Sequence, residues 1–350
     1  MKNTKNFGIE KSLIAIKMVS GEIGFGGGER IFLDIAKAFK DLGFSIKLMS
    51  PRNSKLSKLF DQLELHADLS HQGLSKAKLR IVIANDFDSI VKFCFLLRIR
   101  KVLICHGPWE LTWKKRIFYR IFGIHLFCVS NYVATQAFKG IGMRQSKVTI
   151  LHYGPEPIQK ENKYSKSLIA REKFNLSPEA CVIGSLSRYH SVKRIDMLIE
   201  MFRGKDHILL LGLSKGFNRE DERKTKKLID NLDIPSNVRI FEDVNSNDFF
   251  DAIDIHISLS TSETLGLTFL EASARGIPSF TTATGGVNDY MVHGLNGYFL
   301  NENNPNDYQS IFFSKLQDRK LLERIARNCL KININRSPGI AATQIIEKII

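Results

Sequence analysis

Cysteines are scarce in this sequence, and their spacing matches neither a zinc site nor a disulfide framework. The 350 residues include five cysteines, Cys94, Cys105, Cys128, Cys181 and Cys329. Their number is odd, no two form a Cys-x-x-Cys pair, and four of them lie in apolar runs. We therefore expect buried thiols in a reducing cytosol rather than disulfides or a metal site.

Long apolar runs are also absent from the sequence. No window approaches the roughly 18 apolar residues that a membrane-spanning helix needs. The apolar run near the start, Ser12–Ile16, is short and is interrupted by Lys17, which does not match a secretory signal. We therefore expect a cytoplasmic protein that is at most peripheral to a membrane.

Acidic residues are too few to balance the basic ones. The 36 Asp and Glu residues stand against 51 Lys and Arg residues, which gives a formal net charge of +15. This balance favours anionic partners, such as phosphorylated substrates, acidic lipids or nucleic acid, although a generally solvated basic surface is the alternative. The sequence contains no helix-turn-helix, RRM or zinc pattern, so we predict no nucleic-acid partner.

The chain does contain short apolar runs that alternate with helical stretches. The runs predict strands at Ser12–Val19, Ser45–Met49, Leu79–Ala84, Lys101–Cys105, His125–Val129, Lys147–His152, Ala180–Leu186, His207–Gly212, Asn237–Phe241, Ile253–Leu259, Pro278–Thr282 and Gly297–Leu300. Strands alternating with helices indicate parallel sheets that are covered on both faces. At about 100–200 residues per domain, the length predicts two such domains.

A polar stretch at Gln159–Lys166 places the boundary between these domains. We predict a first domain at residues 1–157 and a second at 158–335. Residues 336–350 are predicted to form a C-terminal helix, for which packing on the first domain is one option.

A glycine-rich turn, GEIGFGGGER at Gly21–Arg30, follows the first predicted strand. A P-loop would need a Gly-Lys-Ser/Thr ending, which is absent. A dinucleotide fingerprint that starts at Gly24 would need glycine where Glu29 stands. Two interpretations remain: bare backbone at Gly26 and Gly27 lets a diphosphate or an acceptor approach the helix start, or the segment is a mobile turn.

Cationic and polar side chains follow two of the other strands. His106 comes directly after one strand, at the carboxyl edge where α/β sheets bind their ligands. Arg188 and Lys193 lie on the turn after Ala180–Leu186, where both could hold a diphosphate. The alternatives are a structural histidine and a solvated basic loop.

The stretch Ser260–Pro278, STSETLGLTFLEASARGIP, predicts a tight loop followed by a helix. Glu263 falls on the loop and Glu271 within the first two turns of the helix. The amides of Gly266–Thr268 at the helix start form an anion site, and the two carboxylates can accept hydrogen bonds from hydroxyls. This combination suits a nucleotide sugar, and the alternative is an ordinary βα unit with two solvated glutamates.

A basic aromatic segment, WELTWKKRIFYRIF, predicts one helix over Trp109–Phe122. Its apolar residues repeat every four positions. The residues proposed to contact a membrane are Trp109, Trp113, Lys114, Lys115, Arg116 and Arg120. A helix of this kind can lie in a membrane interface, or its apolar stripe can pack against the protein's own sheet.

Taken in order, the motifs resemble those of glycosyltransferase family four, over about residues 12–330. GGGER resembles the family's Gly-Gly-x-Glu-Arg loop, and SLSRYHSVKR resembles its Gly-Arg-Leu-x-x-x-Lys segment. SETLGLTFLEASARGIP resembles its signature of two glutamates eight positions apart, and TGGVNDYMVHGLNGYF resembles the block that follows. The resemblance implies a retaining enzyme with the GT-B fold, an α/β architecture of two Rossmann-like parallel-sheet domains facing a central cleft.

The resemblance also implies how a donor is bound. Arg188 and Lys193 would hold the donor diphosphate, and the amides of Gly266–Thr268 would share that task. Glu263 would bind hydroxyls of the donor sugar, and Glu271 would hold the ribose. Thr264 stands in a pair that departs from the family's usual Gly-Phe, so the identity of the donor sugar is left open.

Two further roles follow from the resemblance. His106 would contact the sugar or the transferring group, and the loop at Gly26 and Gly27 would lie near the phosphate and the acceptor. The resemblance implies no metal and no cofactor, with a UDP- or GDP-sugar as substrate. In agreement, the sequence has no Asp-x-Asp cluster on a loop that would clearly hold Mg²⁺ together with a diphosphate.

The sequence therefore predicts a retaining, metal-independent glycosyltransferase. It would move a hexose-type sugar to a glycan or lipid-linked acceptor at the inner face of the cell membrane, in lipopolysaccharide or capsule biosynthesis. An anionic membrane surface is the predicted further partner. The alternative is a non-catalytic protein that binds polyanions or membrane surfaces on a degenerate GT-B scaffold.

Overall fold

The computed structural model describes residues 11–22, 26–62, 77–156, 163–216, 218–300 and 307–350. The chain divides into two compact units, Met1–Tyr153 with Asn335–Ile350, and Gly154–Ile334. The predicted boundary between residues 157 and 158, and the first part of the predicted linker at residues 159–162, lie outside the described residues.

The described part of the first unit is built on a parallel sheet of six strands. They are β1 (Ile14–Val19), β2 (Ser45–Met49), β3 (Leu79–Ala84), β4 (Arg100–Cys105), β5 (His125–Cys128) and β6 (Val148–Ile150). Their order is β2-β1-β3-β4-β5-β6, and every pairing is parallel. Because the chain goes from β1 to β2 on one side and then to β3 on the other, the direction of winding reverses between β1 and β3.

Helices cover this first sheet. They are α1 (Gly27–Asp41), α2 (Lys55–Gln62), α3 (Phe87–Val91), α4 (Trp113–Ile121), α5 (Asn131–Ala137) and a C-terminal helix (Pro338–Ile349). The apolar face of α1 buries Ile31, Ile35 and Phe39. The C-terminal helix packs on α1, and its Gln344 side chain donates to the carbonyl of Ile150 at 2.8 Å.

The second unit repeats the architecture in its described residues. Its strands are β7 (Val182–Arg188), β8 (Ile208–Ser214), β9 (Val238–Glu242), β10 (Ile255–Ser258), β11 (Ser279–Thr282) and β12 (Tyr298–Leu300). They are parallel, in the order β12-β11-β10-β7-β8-β9. The winding therefore reverses between β7 and β10, which lie side by side at the centre of the sheet.

Helices cover both faces of the second sheet. They are α6 (Lys163–Lys173), α7 (Ile195–Met201), α8 (Arg219–Asp230), α9 (Ser246–Ala252), α10 (Leu267–Ser273), α11 (Tyr308–Leu316) and α12 (Arg319–Cys329). Alternate residues of β8 point to opposite faces of the sheet and enter different cores. Leu209 and Leu211 pack with Phe202, which follows α7, whereas Leu210 packs with Phe249 of α9. This burial on both faces explains why the strands are continuous apolar runs.

Each predicted strand overlaps an observed one, but the prediction of one helix over Trp109–Phe122 is wrong. A 3-10 turn forms at Pro108–Leu111, Thr112 is extended at φ −60° and ψ 155°, and α4 begins only at Trp113. Pro108 at the start of the 3-10 turn and the extended Thr112 separate the two pieces. The four-residue apolar repeat therefore does not follow one helix face.

None of the described helices is both long and apolar enough to span a bilayer.

Candidate functional site

Three of the predicted residues lie at the point in the second unit where the winding reverses. Arg188 is the last residue of β7, and Lys193 closes the short 3-10 turn that follows it. The neighbouring strand β10 leads into the loop that bears Glu263. Carboxyl ends of parallel strands on either side of such a reversal form a crevice, which is where open α/β sheets bind ligands.

Lys193 and Glu263 form a direct ion pair at this edge. The Lys193 ammonium nitrogen lies 2.6 Å from Oε1 of Glu263, and the two side chains are 20% and 17% exposed. Each group is therefore largely shielded from water, although both still reach the surface. A charge-assisted hydrogen bond of this length holds both side chains in place before any ligand arrives.

Hydrogen bonds between loops fix the position of Glu263. The backbone N–H of Thr261 donates to the carbonyl of Val192 at 2.9 Å, which ties this loop to the one after β7. The carbonyl of Glu263 accepts the N–H of Gly286 at 3.1 Å, and the Thr284 hydroxyl donates to the carbonyl of Thr261 at 3.0 Å. Three loops that are distant in sequence therefore form one framework.

Gly266 starts α10 in a conformation that requires glycine. Its φ is +79°, and a Cβ there would lie 2.6 Å from both the hydroxyl of Tyr290 and Cγ2 of Val287. The Tyr290 hydroxyl lies within hydrogen-bond distance of the carbonyls of both Leu265 and Gly266. Close approach of this aromatic residue positions the first turn of α10, whose Leu267 and Thr268 amides belong to the helix start.

Glu271 lies in α10, as the sequence predicts, and is only 9% exposed. Its backbone carbonyl accepts a hydrogen bond from the Arg275 guanidinium at 3.1 Å. Arg275 in turn pairs with Asp251 at 3.0 Å. This contact anchors the C-terminal half of α10 to α9 and so fixes where Glu271 stands.

His256 is a buried residue beneath this edge that the sequence prediction did not select. It lies in β10 at 1% exposure, with Nδ1 3.2 Å from the Ser279 hydroxyl. Burial lowers the pKa of His256 to about 4, and Glu263 opposes this shift. The imidazole is therefore neutral at physiological pH.

The edge of the first sheet carries a second polar network, around His106. His106 follows β4, and its Nε2 lies 2.7 Å from Oδ1 of Asn85, which follows β3. The Asn85 amide nitrogen lies 3.3 Å from Oε1 of Glu29, whose Oε2 accepts the Gly26 N–H at 2.8 Å. Burial lowers the pKa of His106 to about 4.

The predicted glycine pair is divided between two roles. Gly26 is the N-cap residue, with extended backbone, whereas Gly27 is the first residue of α1. The next glycine, Gly28, packs against the imidazole, since a Cβ there would lie 3.3 Å from Cγ of His106. The glycines therefore bring α1 close to His106.

The sequence prediction selected neither Glu29 nor Asn85, and the only signal for Asn85 is a polar residue directly after a buried strand.

A polar pocket lies beside this network. It is lined by Gly21, Glu22, Asp86, Phe87, Asp88, Lys92, Glu110 and Lys115. Burial raises the pKa of both Glu22 and Glu110. Carboxylates that line a pocket can accept hydrogen bonds from the hydroxyls of a sugar or another polyol.

The residues predicted to contact a membrane do not all reach the surface. Trp109 and Trp113 are 59% and 58% exposed, and Lys114 and Arg120 are exposed as well. Lys115 is partly buried, where it pairs with Glu110 at 3.6 Å.

Arg116, in contrast, is wrongly placed in that set. It is 8% exposed and donates to the carbonyl of Gln136 at 2.8 Å. Its charge caps the end of α5 and does not face solvent.

The second unit is similar in sequence to known glycosyltransferases. Residues 167–331, which include Arg188, Lys193, Glu263 and Glu271, match the family model described as glycosyl transferases group 1. The D-inositol 3-phosphate glycosyltransferase of Geodermatophilus obscurus is 26% identical over 171 residues, which are 45% of this chain and 38% of that protein. The chain spans less than two thirds of the length of the first curated relatives that it matches.

Solved structures are similar over almost the whole chain. Anabaena HepE in complex with UDP-glucose has a TM-score of 0.78 at 19% identity, covering 95% of this chain and 98% of that one. WaaG, a glycosyltransferase involved in lipopolysaccharide biosynthesis, has a TM-score of 0.63 at 18% identity, covering 96% and 99%. These similarities confirm the predicted GT-B fold class.

Proposed function

We propose that the protein is a retaining glycosyltransferase that moves a hexose-type sugar from a nucleoside diphosphate to a glycan or lipid-linked acceptor. The observation on which this depends is the ion pair between Lys193 and Glu263, at the point where the winding of the second sheet reverses. It lies inside the segment that matches the glycosyltransferase family model. The HepE structure with UDP-glucose supports a UDP-sugar as the first donor to test.

In this proposal Arg188 and Lys193 bind the donor diphosphate. As the bond between the anomeric carbon and the phosphate oxygen breaks, negative charge grows on the diphosphate, and the two cations stabilise it. The amides of Leu267 and Thr268 would add donors on the same group. Lys193 is already held by Glu263 at 2.6 Å, so little reorganisation is needed when the charge develops.

The carboxylates have separate tasks in the same proposal. Glu263 accepts hydrogen bonds from hydroxyls of the donor sugar, while Glu271 holds the ribose. The acceptor oxygen bonds to the anomeric carbon on the face that the diphosphate leaves, and a diphosphate oxygen takes the acceptor proton, so the configuration at the anomeric carbon is retained. No metal takes part in this scheme.

For the first unit we propose a role in binding hydroxyls. His106 would accept a hydrogen bond from a ligand hydroxyl, and Gly26 and Gly27 would let a ligand approach the start of α1 closely. The neighbouring polar pocket would take hydroxyls of the acceptor through Glu22 and Glu110.

Thermal-shift and hydrolysis assays with UDP- and GDP-sugars test the donor site. A donor at 100 times its dissociation constant should stabilise the wild type by about 2.7 kcal/mol. Glu263→Ala and Lys193→Ala should each lose most of that stabilisation and of donor hydrolysis. The control is Lys173→Ala, which breaks an ion pair with Asp248 at 2.8 Å in the same unit.

Two results would contradict the proposal in different ways. If both site variants bind and hydrolyse the donor like the wild type, the residue assignment is wrong. If the wild type itself neither binds nor hydrolyses any nucleotide sugar, the non-catalytic alternative replaces the enzyme.

We further propose that the protein acts as a peripheral membrane enzyme on a cell-envelope glycan. Large apolar side chains of the first unit are exposed, with Phe95 at 83%, Leu97 at 85% and Ile121 at 71%. The rings of Phe95 and Phe122 are 5.4 Å apart, which puts these segments side by side. Exposed Lys114 and Arg120 on α4, with Arg98 and Arg100, add the positive charge that anionic headgroups attract.

Co-sedimentation with anionic liposomes at low salt tests this membrane proposal. Lys114→Gln combined with Arg120→Gln should reduce the bound fraction, and Phe95→Ser with Leu97→Ser should reduce it in high salt as well. The control Lys173→Ala should bind like the wild type. The membrane proposal fails if the wild type does not bind these liposomes at all.

A further inference from the structure

The network around His106 joins three separate elements of the first unit. Glu29 comes from α1, Asn85 follows β3, and His106 follows β4. Glu29 and Asn85 are only 4% and 3% exposed, so water competes little with their contacts. The links are 3.3 Å from the Asn85 amide nitrogen to Glu29 and 2.7 Å from Asn85 Oδ1 to Nε2 of His106.

The chemistry of these groups sets the direction of every hydrogen bond. An ionised carboxylate only accepts, so both the Gly26 N–H and the Asn85 amide NH₂ must donate to Glu29. The NH₂ group is thereby used, and Asn85 presents its oxygen to His106. An amide oxygen only accepts, so Nε2 of His106 must carry the proton.

The other ring nitrogen is then a hydrogen-bond acceptor. In a neutral imidazole with Nε2–H, the lone pair belongs to Nδ1. His106 is only partly buried, and a Cβ on Gly28 would lie 3.4 Å from this Nδ1, so a side chain at position 28 would crowd the acceptor atom. The ring is thus fixed both in orientation, by packing, and in tautomer, by Asn85.

We propose that Glu29, acting through Asn85, is a positioning residue that holds His106 as the Nε2–H tautomer, so that Nδ1 accepts a hydrogen bond from a ligand hydroxyl. The part of this inference that gives Nδ1 a ligand hydroxyl rests on the proposed function, whereas the assignment of the tautomer is independent of it. The same carboxylate caps α1 through the Gly26 N–H, so one side chain serves the helix and the imidazole.

The test is the ¹⁵N spectrum of histidine-labelled full-length protein in mildly alkaline buffer, with His106→Gln used for assignment. The wild type should show a protonated, pyrrole-type Nε2 and a pyridine-type Nδ1 for His106. In Glu29→Gln, the glutamine oxygen must accept the Gly26 N–H, so its NH₂ faces Asn85. Asn85 should flip and offer its own NH₂ to Nε2, which moves the proton to Nδ1.

A second change should restore the original tautomer. In the double variant Glu29→Gln, Asn85→Asp, the glutamine NH₂ donates to the carboxylate introduced in place of the Asn85 amide, and this carboxylate again accepts from Nε2–H. The control Asp34→Asn removes another carboxylate of α1, one that accepts from Arg30 at 3.0 Å, and should leave the His106 spectrum unchanged. If Glu29 had a purely structural role, the single variant would not change the tautomer of His106 and the double variant would not restore it.

Turnover measurements separate this inference from the proposed function. Glu29→Gln should lower kcat by roughly tenfold, the loss of about one hydrogen bond, and the double variant should recover it. A pyridine-type Nε2 in the wild type, or an unchanged spectrum in folded Glu29→Gln, would overturn the inference whatever the activity. The predicted tautomers in a protein without transferase activity would overturn the proposed function alone.

Discussion

At the scale of single residues, the sequence predicts the charged pair of the second unit but not the network that orients His106 in the first unit. Lys193 and Glu263 were recognisable because each sits in a motif after an apolar strand. Glu29 and Asn85 were not, because their contact depends on α1 and β3 meeting at one edge of the first sheet. That adjacency follows from the strand order, which no local pattern encodes.

A prediction at this scale concerns Gly266. Gly266→Ala forces an alanine to φ +79° and crowds Tyr290, whose hydroxyl would lie 2.6 Å from the new Cβ. We expect a loss of about 1–3 kcal/mol in the free energy of unfolding, together with weaker donor binding.

The matched control is Gly204→Ala. Gly204 has φ +68° in the same unit, and a Cβ there meets nothing within 4 Å. Gly204→Ala should lose only the part of the free energy of unfolding that comes from the strained backbone, and it should bind the donor like the wild type. Equal effects on donor affinity in both variants would show that Tyr290 does not position the start of α10. Thermal-shift titration with a nucleotide sugar measures both quantities.

At the scale of secondary-structure elements, burial explains the success of the sequence prediction, and a local contact explains its error. The strands are apolar runs because both faces of each sheet are covered, so a run alone identifies them. The segment after β4 was misread because its aromatic repeat looks helical, while Trp109 in fact folds back over Gly107. A Cβ on Gly107 would lie 2.2 Å from the Trp109 ring, a contact that sequence spacing does not reveal.

A prediction at the element scale concerns the C-terminal helix. Ile345 is fully buried in it, at 0% exposure, whereas Ile340 on the same helix is 37% exposed. Ile345→Ala should destabilise the first unit by about 2–5 kcal/mol, because it leaves a cavity where the helix packs on α1. Hydrogen exchange should accelerate in α1, at Gly27–Asp41.

The control Ile340→Ala makes the same chemical change on the solvent side. It should leave the exchange of Gly27–Asp41 close to that of the wild type. If both variants accelerate exchange equally, the C-terminal helix does not stabilise α1 through its buried face.

At the scale of the whole molecule, each unit places two of its site residues at the point where the winding of its sheet reverses. In the first unit β1 and β3 flank this point, with Gly26 and Asn85 on the loops that follow them. In the second unit β7 and β10 flank it, with Lys193 and Glu263 on the corresponding loops. The sequence predicts the strands one by one, but only their order turns separate loops into a site.

The stability of both units should fall on acidification, because each buries a neutral histidine. Burial lowers the pKa of His106 and His125 in the first unit and of His256 in the second from 6.5 to about 4, and His125 and His256 lie outside the proposed ligand contacts. Between these values the unfolded chain binds the proton and the folded chain does not, so stability is lost as pH falls. Each histidine should contribute a slope of up to about 1.4 kcal/mol per pH unit. The free energy of unfolding, obtained from melting curves at several pH values in this range, should depend less steeply on pH in His125→Gln and in His256→Gln. The slope should be smallest in the double variant. An unchanged slope in the double variant would contradict the assignment of acid sensitivity to these two side chains.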